Sequence, residues 1–273
     1  MKKKIITIVL ASMLSVSMAA CGESENTDTA QSEPEYVDNI NAVASDPDAY
    51  AGKYIKFSGI TSVIDESDEA YDLQIYLDTD YNTSVLVNVP KELISDPITS
   101  DEYVNIDAEI AGAYTGETII GVETTWAMLN AIGIEETSYM EAFAPTIKEL
   151  TPGISAEQNG FSVTADKIEY ADEETRVYLT ITNNSEYTTS YSVYDIRLIQ
   201  DGTQIEQDQS AESSYLGNYP QLSYDVTSGA STSGIIVFPT IDQTKNFQII
   251  IPDIYSDNYE LDFSDMTLDI SVQ

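Results

Sequence analysis

The sequence predicts an all-β protein. A five-stranded barrel of OB type spans residues 39–130 and a β-sandwich spans residues 154–273, behind a signal peptide and a disordered tether. Two observations carry the fold. Apolar and polar residues alternate at period two in eleven short segments between residues 55 and 272. Turn-forming runs separate many of them, among them Asn183-Asn184-Ser185, Asp201-Gly202 and Ser228-Gly229. A third observation gives an address: the single cysteine of the 273-residue chain stands at position 21, directly after an apolar run.

The chain opens M-K-K-K and continues with the apolar run from Ile5 to Ala20. That run is shorter than the ~20 residues a membrane-spanning helix needs. A basic start, a short apolar run and small residues before a cut are the marks of a secretory signal, here residues 1–20. Met18-Ala19-Ala20-Cys21 resembles the lipobox of bacterial lipoproteins, with Met18 where Leu is usual. The resemblance implies that the Cys21 thiol receives a diacylglycerol and that cleavage leaves Cys21 as the first mature residue. The protein is then expected at the extracytoplasmic face of the cell membrane, held by lipid. Buried acyl carbon contributes ~0.8 kcal/mol per methylene, and two or more chains make retention stable. A lone thiol leaves no internal disulfide framework. Residues 21–38 are small, polar and acidic after Cys21, the composition of a disordered tether.

Asn39 to Gly52 reads as a short amphipathic turn of helix that Pro47 ends. Five alternating segments follow. Ile55, Phe57, Thr61 and Val63 share one face, then Tyr71, Leu73, Ile75 and Leu77, then Val85, Val87 and Val89. Val104, Ile106, Ala108 and Ile110 form the fourth set, and Ile120, Val122, Thr124 and Trp126 the fifth, which puts Trp126 on a core-facing alternation. Gly59 falls mid-strand, where glycine marks a bulge or tight bend. Lys91 to Ile94 reads as a short helix between the third and fourth strands. One long bent strand, a hairpin pair, a short helix and two more strands describe an OB-type barrel. The stretches D46-P-D-A-Y-A-G-K-Y-I-K-F-S-G-I and D101-E-Y-V-N-I-D-A-E-I-A-G-A-Y-T-G resemble the anticodon-binding-like OB domains of many bacterial lipoproteins. The resemblance implies a fold and no ligand, because such barrels serve many.

Residues 131–153 hold Gly133, Pro145, Pro152 and Gly153 with weak periodicity, and read as a linker with a short helix. Alternation then returns at Phe161-Val163-Ala165, Val177-Leu179-Ile181 and Ile196-Leu198, and again at Ile236-Phe238, Phe247-Ile249-Ile251 and Leu268-Ile270-Val272. Short strands broken by turns argue a sandwich. V177-Y-L-T-I-T-N-N-S and S228-G-A-S-T-S-G-I-I-V-F-P resemble the Ig-like domains of unknown function in lipoproteins of Gram-positive bacteria. The Cys–Trp–Cys pattern of antibody domains is absent, so the likeness is architectural.

Charge and composition exclude several chemistries. Beyond residue 20 there are eight basic residues against 47 acidic ones, a net charge of −39. Phosphate-backbone binding needs clustered Lys and Arg, so nucleic acid is excluded as a partner, and a polybasic membrane contact with it. The chain has no histidine, which removes Ser-His-Asp and Cys-His catalysis and imidazole metal sites. No phosphate-binding G-x-x-x-x-G-K-[ST] loop and no Ser-x-x-Lys dyad occurs in the sequence beyond Cys21.

Three features remain. D78-T-D-Y-N-T begins like a calcium loop, but Thr83 replaces the glycine and Val89 the closing Glu. The stretches 65–72 and 257–265 are denser acidic loops, so calcium stays open as a partner without a defined site. Tyrosine is in excess at nineteen residues. Tyr187, Tyr191 and Tyr194 lie beside a strand and are expected to pack. Tyr215, Tyr219 and Tyr224 fall in a long loop with Gly217 and Pro220, where exposed Tyr supplies rigid amphipathic contact area. These three are the candidate ligand-binding residues, and Cys21 is the lipidation site. No cofactor or catalytic residue is identified. The expected function is non-catalytic binding of a protein, envelope or small-molecule ligand at the membrane. A calcium-dependent structural or adhesion module and a carboxylate-based hydrolase are the alternatives.

Overall fold

Branched and aromatic residues at alternate positions favour pleated strands. The first six are β1 (Tyr36–Val37), β2 (Tyr54–Glu66), β3 (Ala70–Tyr76), β4 (Ser84–Pro90), β5 (Tyr103–Glu117) and β6 (Glu123–Glu136). The computed structural model describes residues 33–118 and 121–272. The signal segment, Cys21 and the tether up to residue 32 therefore lie outside the described residues. From Glu35 onward the chain forms one compact unit.

Pairing runs β1-β2-β3-β4-β6-β5, and β5 also pairs with β2, the second strand of that order. Ile55, Leu73, Ile75, Val85, Ile110 and Leu129 point into the shared core with no exposed surface. Full burial of such a side chain contributes ~1.5–3 kcal/mol. Gly59 sits where β2 changes partner. Residues 54–60 pair with β5 and residues 60–66 with β3. A Cβ at position 59 would stand 2.6 Å from the Tyr76 carbonyl oxygen and would also strike Ile75. Only glycine lets the strands pass that closely.

The helical expectations hold in place. Helix α1 (Ile40–Ser45) is capped by Asn39, whose Oδ1 accepts from the Ala42 N–H at 3.0 Å. Pro47 opens a 3-10 turn, Pro47–Tyr50, and another, Lys91–Leu93, joins β4 to β5.

The fifth set of alternating residues is corrected. Ala127, Leu129 and Ala131 are the core-facing residues of β6, whereas Val122 is 52% exposed and Trp126 lies on the outer face. Ile120 lies outside the described residues. Beyond Ala127 toward the hairpin tip, β6 pairs only with β5, so no core stands beneath those residues to set their parity. Strand β6 also continues to Glu136, inside the stretch expected to be linker.

The second half contributes β7 (Lys148–Leu150), β8 (Ile154–Gln158), β9 (Phe161–Tyr170), β10 (Glu174–Asn183), β11 (Thr189–Ser190) and β12 (Arg197–Gln200). Then come β13 (Thr203–Ile205), β14 (Asp225–Val226), β15 (Ser231–Pro239), β16 (Phe247–Ile251), β17 (Tyr255–Ser256) and β18 (Met266–Ile270). One sheet runs β15-β10-β9-β7 with β8 on β9, another β13-β12-β16-β18, and a small one β14-β11-β17. The expected inward residues of β9, β10, β12, β15, β16 and β18 all fall in one core. Tyr191 joins them fully buried, its ring 5.9 Å from Phe161, while Tyr187 and Tyr194 stay exposed.

Strand β15 is apolar on both faces. Ile236 and Phe238 enter that core, while Ile235 and Val237 pack on the opposite side against Tyr139 and Met140. The latter two belong to helix α2 (Tyr139–Ala142), and Leu216 of helix α3 (Ser213–Leu216) closes the cluster. Tyr103 of β5 stacks edge-on against Tyr139 at 5.8 Å, so this small core joins the two halves of the unit.

Candidate functional site

The outer face of the first sheet carries a groove of about 780 Å³. Its floor is a row in register across four strands: Ser62 opposite Gln74, Gln74 opposite Leu86, and Leu86 opposite Met128. Strict alternation puts all four on the side away from the core. Ile64 rises on one side. It is the extra residue of a β2 bulge between Val63 and Asp65, 56% exposed, and bulges re-aim side chains in this way.

The other wall is the β5–β6 hairpin. Tyr114 and Trp126 are direct cross-strand partners, and their rings stack with centroids 6.5 Å apart and 27° between planes. Tyr114 is 51% exposed. The pair is braced by a hydroxyl bond between Thr115 and Thr125 at 2.8 Å. Tyr76 completes the aromatic lining, held edge-on by Tyr81 at 4.9 Å.

Polar groups in the groove are fixed by their neighbours. Gln74 Nε2 donates to Ser84 Oγ at 2.9 Å, and Asn88 Nδ2 donates to Asp72 Oδ1 at 2.7 Å. Asp72 and Glu117 are the charged residues of the lining, and no Lys or Arg stands among its described residues. The groove therefore offers an aromatic platform, hydrogen-bond acceptors and a negative field.

A second cavity of about 400 Å³ lies between the segment after β6 and β9, lined by Met140, Glu141, Thr146, Glu169 and Tyr219. Beside it is Arg176, with no exposed surface. Its guanidinium donates to the Ala144 carbonyl and to Thr146 Oγ1, each at 2.8 Å, and touches Met140 Sδ at 3.3 Å. Glu169 Oε2 lies 3.1 Å from its Nε, and Glu174 Oε1 lies 3.3 Å from Nη1. Burial alone would raise the Glu169 carboxyl, but bonds from Lys167 and Tyr178 and the charge of Arg176 outweigh it and hold the carboxyl below the usual range. This cluster is a clamp, because its charges are spent on one another.

The residues singled out from the sequence fall in separate places. Cys21 lies outside the described residues. Tyr215 is exposed on α3. Tyr219 lines the second cavity and packs edge-on against Tyr178 at 5.1 Å. Tyr224 hydrogen-bonds to the hydroxyl of Tyr255. All three rings keep exposed surface, as the loop reading expects. In the calcium-like loop, Asp78 accepts from the backbone N–H groups of Asn82 and Thr83, both at 2.9 Å. Burial acts to raise that carboxyl, and these bonds pull it below its ordinary value. Its oxygens are committed to the turn. Among the described residues no three acids converge as metal ligands.

Sequence reading missed the groove because it assigned Trp126 inward. The signal was present in V85-L-V and W126-A-M-L, runs apolar at both parities, which mark strands covered on both faces.

No curated protein matches the chain. Residues 133–261 match the family model of a domain of unknown function, DUF4352. A solved structure described as that of a functionally unknown protein from Listeria monocytogenes EGD-e is similar at a TM-score of 0.36 and 12% identity, covering 48% of this chain and 88% of its own.

Proposed function

We propose that the protein is a non-catalytic binding module, lipid-anchored outside the cell, which takes its ligand in the groove between Ile64 and the Tyr114–Trp126 pair. The carrying observation is that stack. Two large rings are held on a hydrogen-bonded two-stranded arm beside a floor of register-matched outward side chains. Ligand sites are concave, mostly apolar and furnished with a few placed polar groups, commonly ~300–1,000 Å³ in volume. The groove meets each condition.

The closed pairing order and the long bent β2 favour reading the first half as an OB-type barrel, whose second and third strands, here β3 and β4, form the usual recognition face. The shared core of the β9–β10–β15 and β12–β16–β18 sheets favours an Ig-like sandwich for the second half. The absence of histidine and of any cysteine but Cys21 supports a role without catalysis. The basic, apolar and small residues before Cys21 support the anchor.

A photo-crosslinking residue placed at Tyr114 in living cells tests the site, with the same residue at Tyr259, 96% exposed, as control. Adducts formed at position 114 and lost with Trp126→Ala are expected. The same adduct profile at both positions would refute the site. For the anchor, Cys21→Ala is expected to shed the protein into the medium, and its retention in the membrane fraction would contradict lipidation.

A further inference from the structure

We infer that the ligand of the groove is a neutral oligosaccharide. This rests on the groove being the recognition site, and the chemistry of its lining narrows the occupant.

Three classes are disfavoured by named features. An oligonucleotide or other phosphate-bearing ligand would meet Asp72 and Glu117 with no cation in the described lining to offset the repulsion. An extended peptide adding as a strand needs an open edge. At the centre of the floor there is none, because β3 lies between β2 and β4 and Leu86–Asn88 of β4 lie between β3 and β6; the free edge of β6 before Met128 belongs to the hairpin wall. A cationic side chain would find two carboxylates and the faces of Tyr114 and Trp126, but it would also shed water against Ile64, Leu86 and Met128, which return no polar contact.

A sugar ring suits what remains. Its C–H faces are apolar and lie flat on aromatic rings, and Tyr114–Trp126 supplies such a platform with half of the Tyr114 surface open. Its hydroxyls project around the rim, where carboxylate and amide oxygens accept from them. Hydrogen bonds to an ionised acceptor are roughly twice as strong as neutral ones. Asp72 is held by Asn88 and Gln74 by Ser84, so these acceptors are oriented before any ligand arrives. A row of side chains across four strands also suits a chain of several sugar units more than a compact metabolite.

The test is calorimetric titration of the folded protein with chitotetraose, cellotetraose and maltotetraose, beside a thymidine oligonucleotide and tetralysine. At least one neutral saccharide is expected to bind saturably. Its affinity is expected to hold from low salt to about 0.5 M, because no ion pair is screened. Trp126→Ala and Tyr114→Ser should each weaken it at least about tenfold, which is 1.4 kcal/mol. Tyr114 is half exposed, so its variant keeps the test valid if loss of Trp126 impairs folding. Failure of all three saccharides, binding of tetralysine alone, or saccharide binding unchanged in both variants would overturn the inference. Adducts formed at position 114 in cells, without saccharide binding, would sink the ligand class and leave the site standing.

Discussion

Arg176 on β10 and Glu169 on β9 are direct cross-strand partners, and their charged groups meet at 3.1 Å with the guanidinium wholly out of solvent. The same guanidinium reaches across to the Ala144 carbonyl and the Thr146 hydroxyl, so one side chain ties the segment after β6 to the second sheet.

Breaking such a pair from one side strands a buried charge and costs ~3–5 kcal/mol. Arg176→Ala is therefore expected to lower unfolding stability by about that amount in urea. Arg176→Met, which fills the volume and leaves Glu169 its bonds from Lys167 and Tyr178, should recover part of the loss.

The depressed Glu169 carboxyl makes this stability depend on acid. Its contribution is fully present above the unfolded-state value near 4.3, and it fades as pH falls below that and through the lower folded value. Stability of the parent and of Glu169→Gln, measured from neutral pH downward, should differ most near neutrality and converge in acid. A gap independent of pH would show that the carboxylate charge is not what stabilises.

At the alkaline end the signs reverse. Burial raises Tyr170 to about 12, and burial with neighbouring acids or phenols raises Tyr139 and Tyr178 further; Tyr191 is raised by burial alone. Stability from these groups is complete below the unfolded phenol value near 10 and is lost as pH climbs through the folded values. Phenolate absorbance should rise in two stages, the later one coinciding with loss of the near-ultraviolet circular dichroism signal.

Gly59→Ala introduces a methyl where the Tyr76 carbonyl and Ile75 already stand. Overpacking costs ~1–3 kcal/mol, and a thermal melt should register it. Gly52→Ala, at a positive φ with open space around it, separates steric crowding from backbone strain.

Much of this architecture was legible in the alternation of single residues. The inward residues of β2 to β5 and of the second-half strands were readable because Val, Ile, Leu and Phe contrast sharply with their polar neighbours. Strand β6 was not, since its core positions are carried partly by Ala127 and Ala131, which bury little area, while the larger Trp126 faces outward. Period-two reading follows the bulkiest residue, and here that residue serves the groove. Arg176 was illegible for another reason: its partners Met140, Ala144 and Thr146 lie thirty or more positions away and show no local pattern. The exposure of Tyr215, Tyr219 and Tyr224 was legible in the Gly and Pro of their loop, while the edge contact of Tyr219 with Tyr178 was not.

The small core where Tyr103, Tyr139, Ile235 and Val237 meet has a thermodynamic corollary. Neither half can melt without baring apolar surface on the other, so heat should be absorbed in a single calorimetric peak. Either half expressed alone would carry that bared surface permanently. A single peak would make the boundary visible along the chain no boundary in cooperativity.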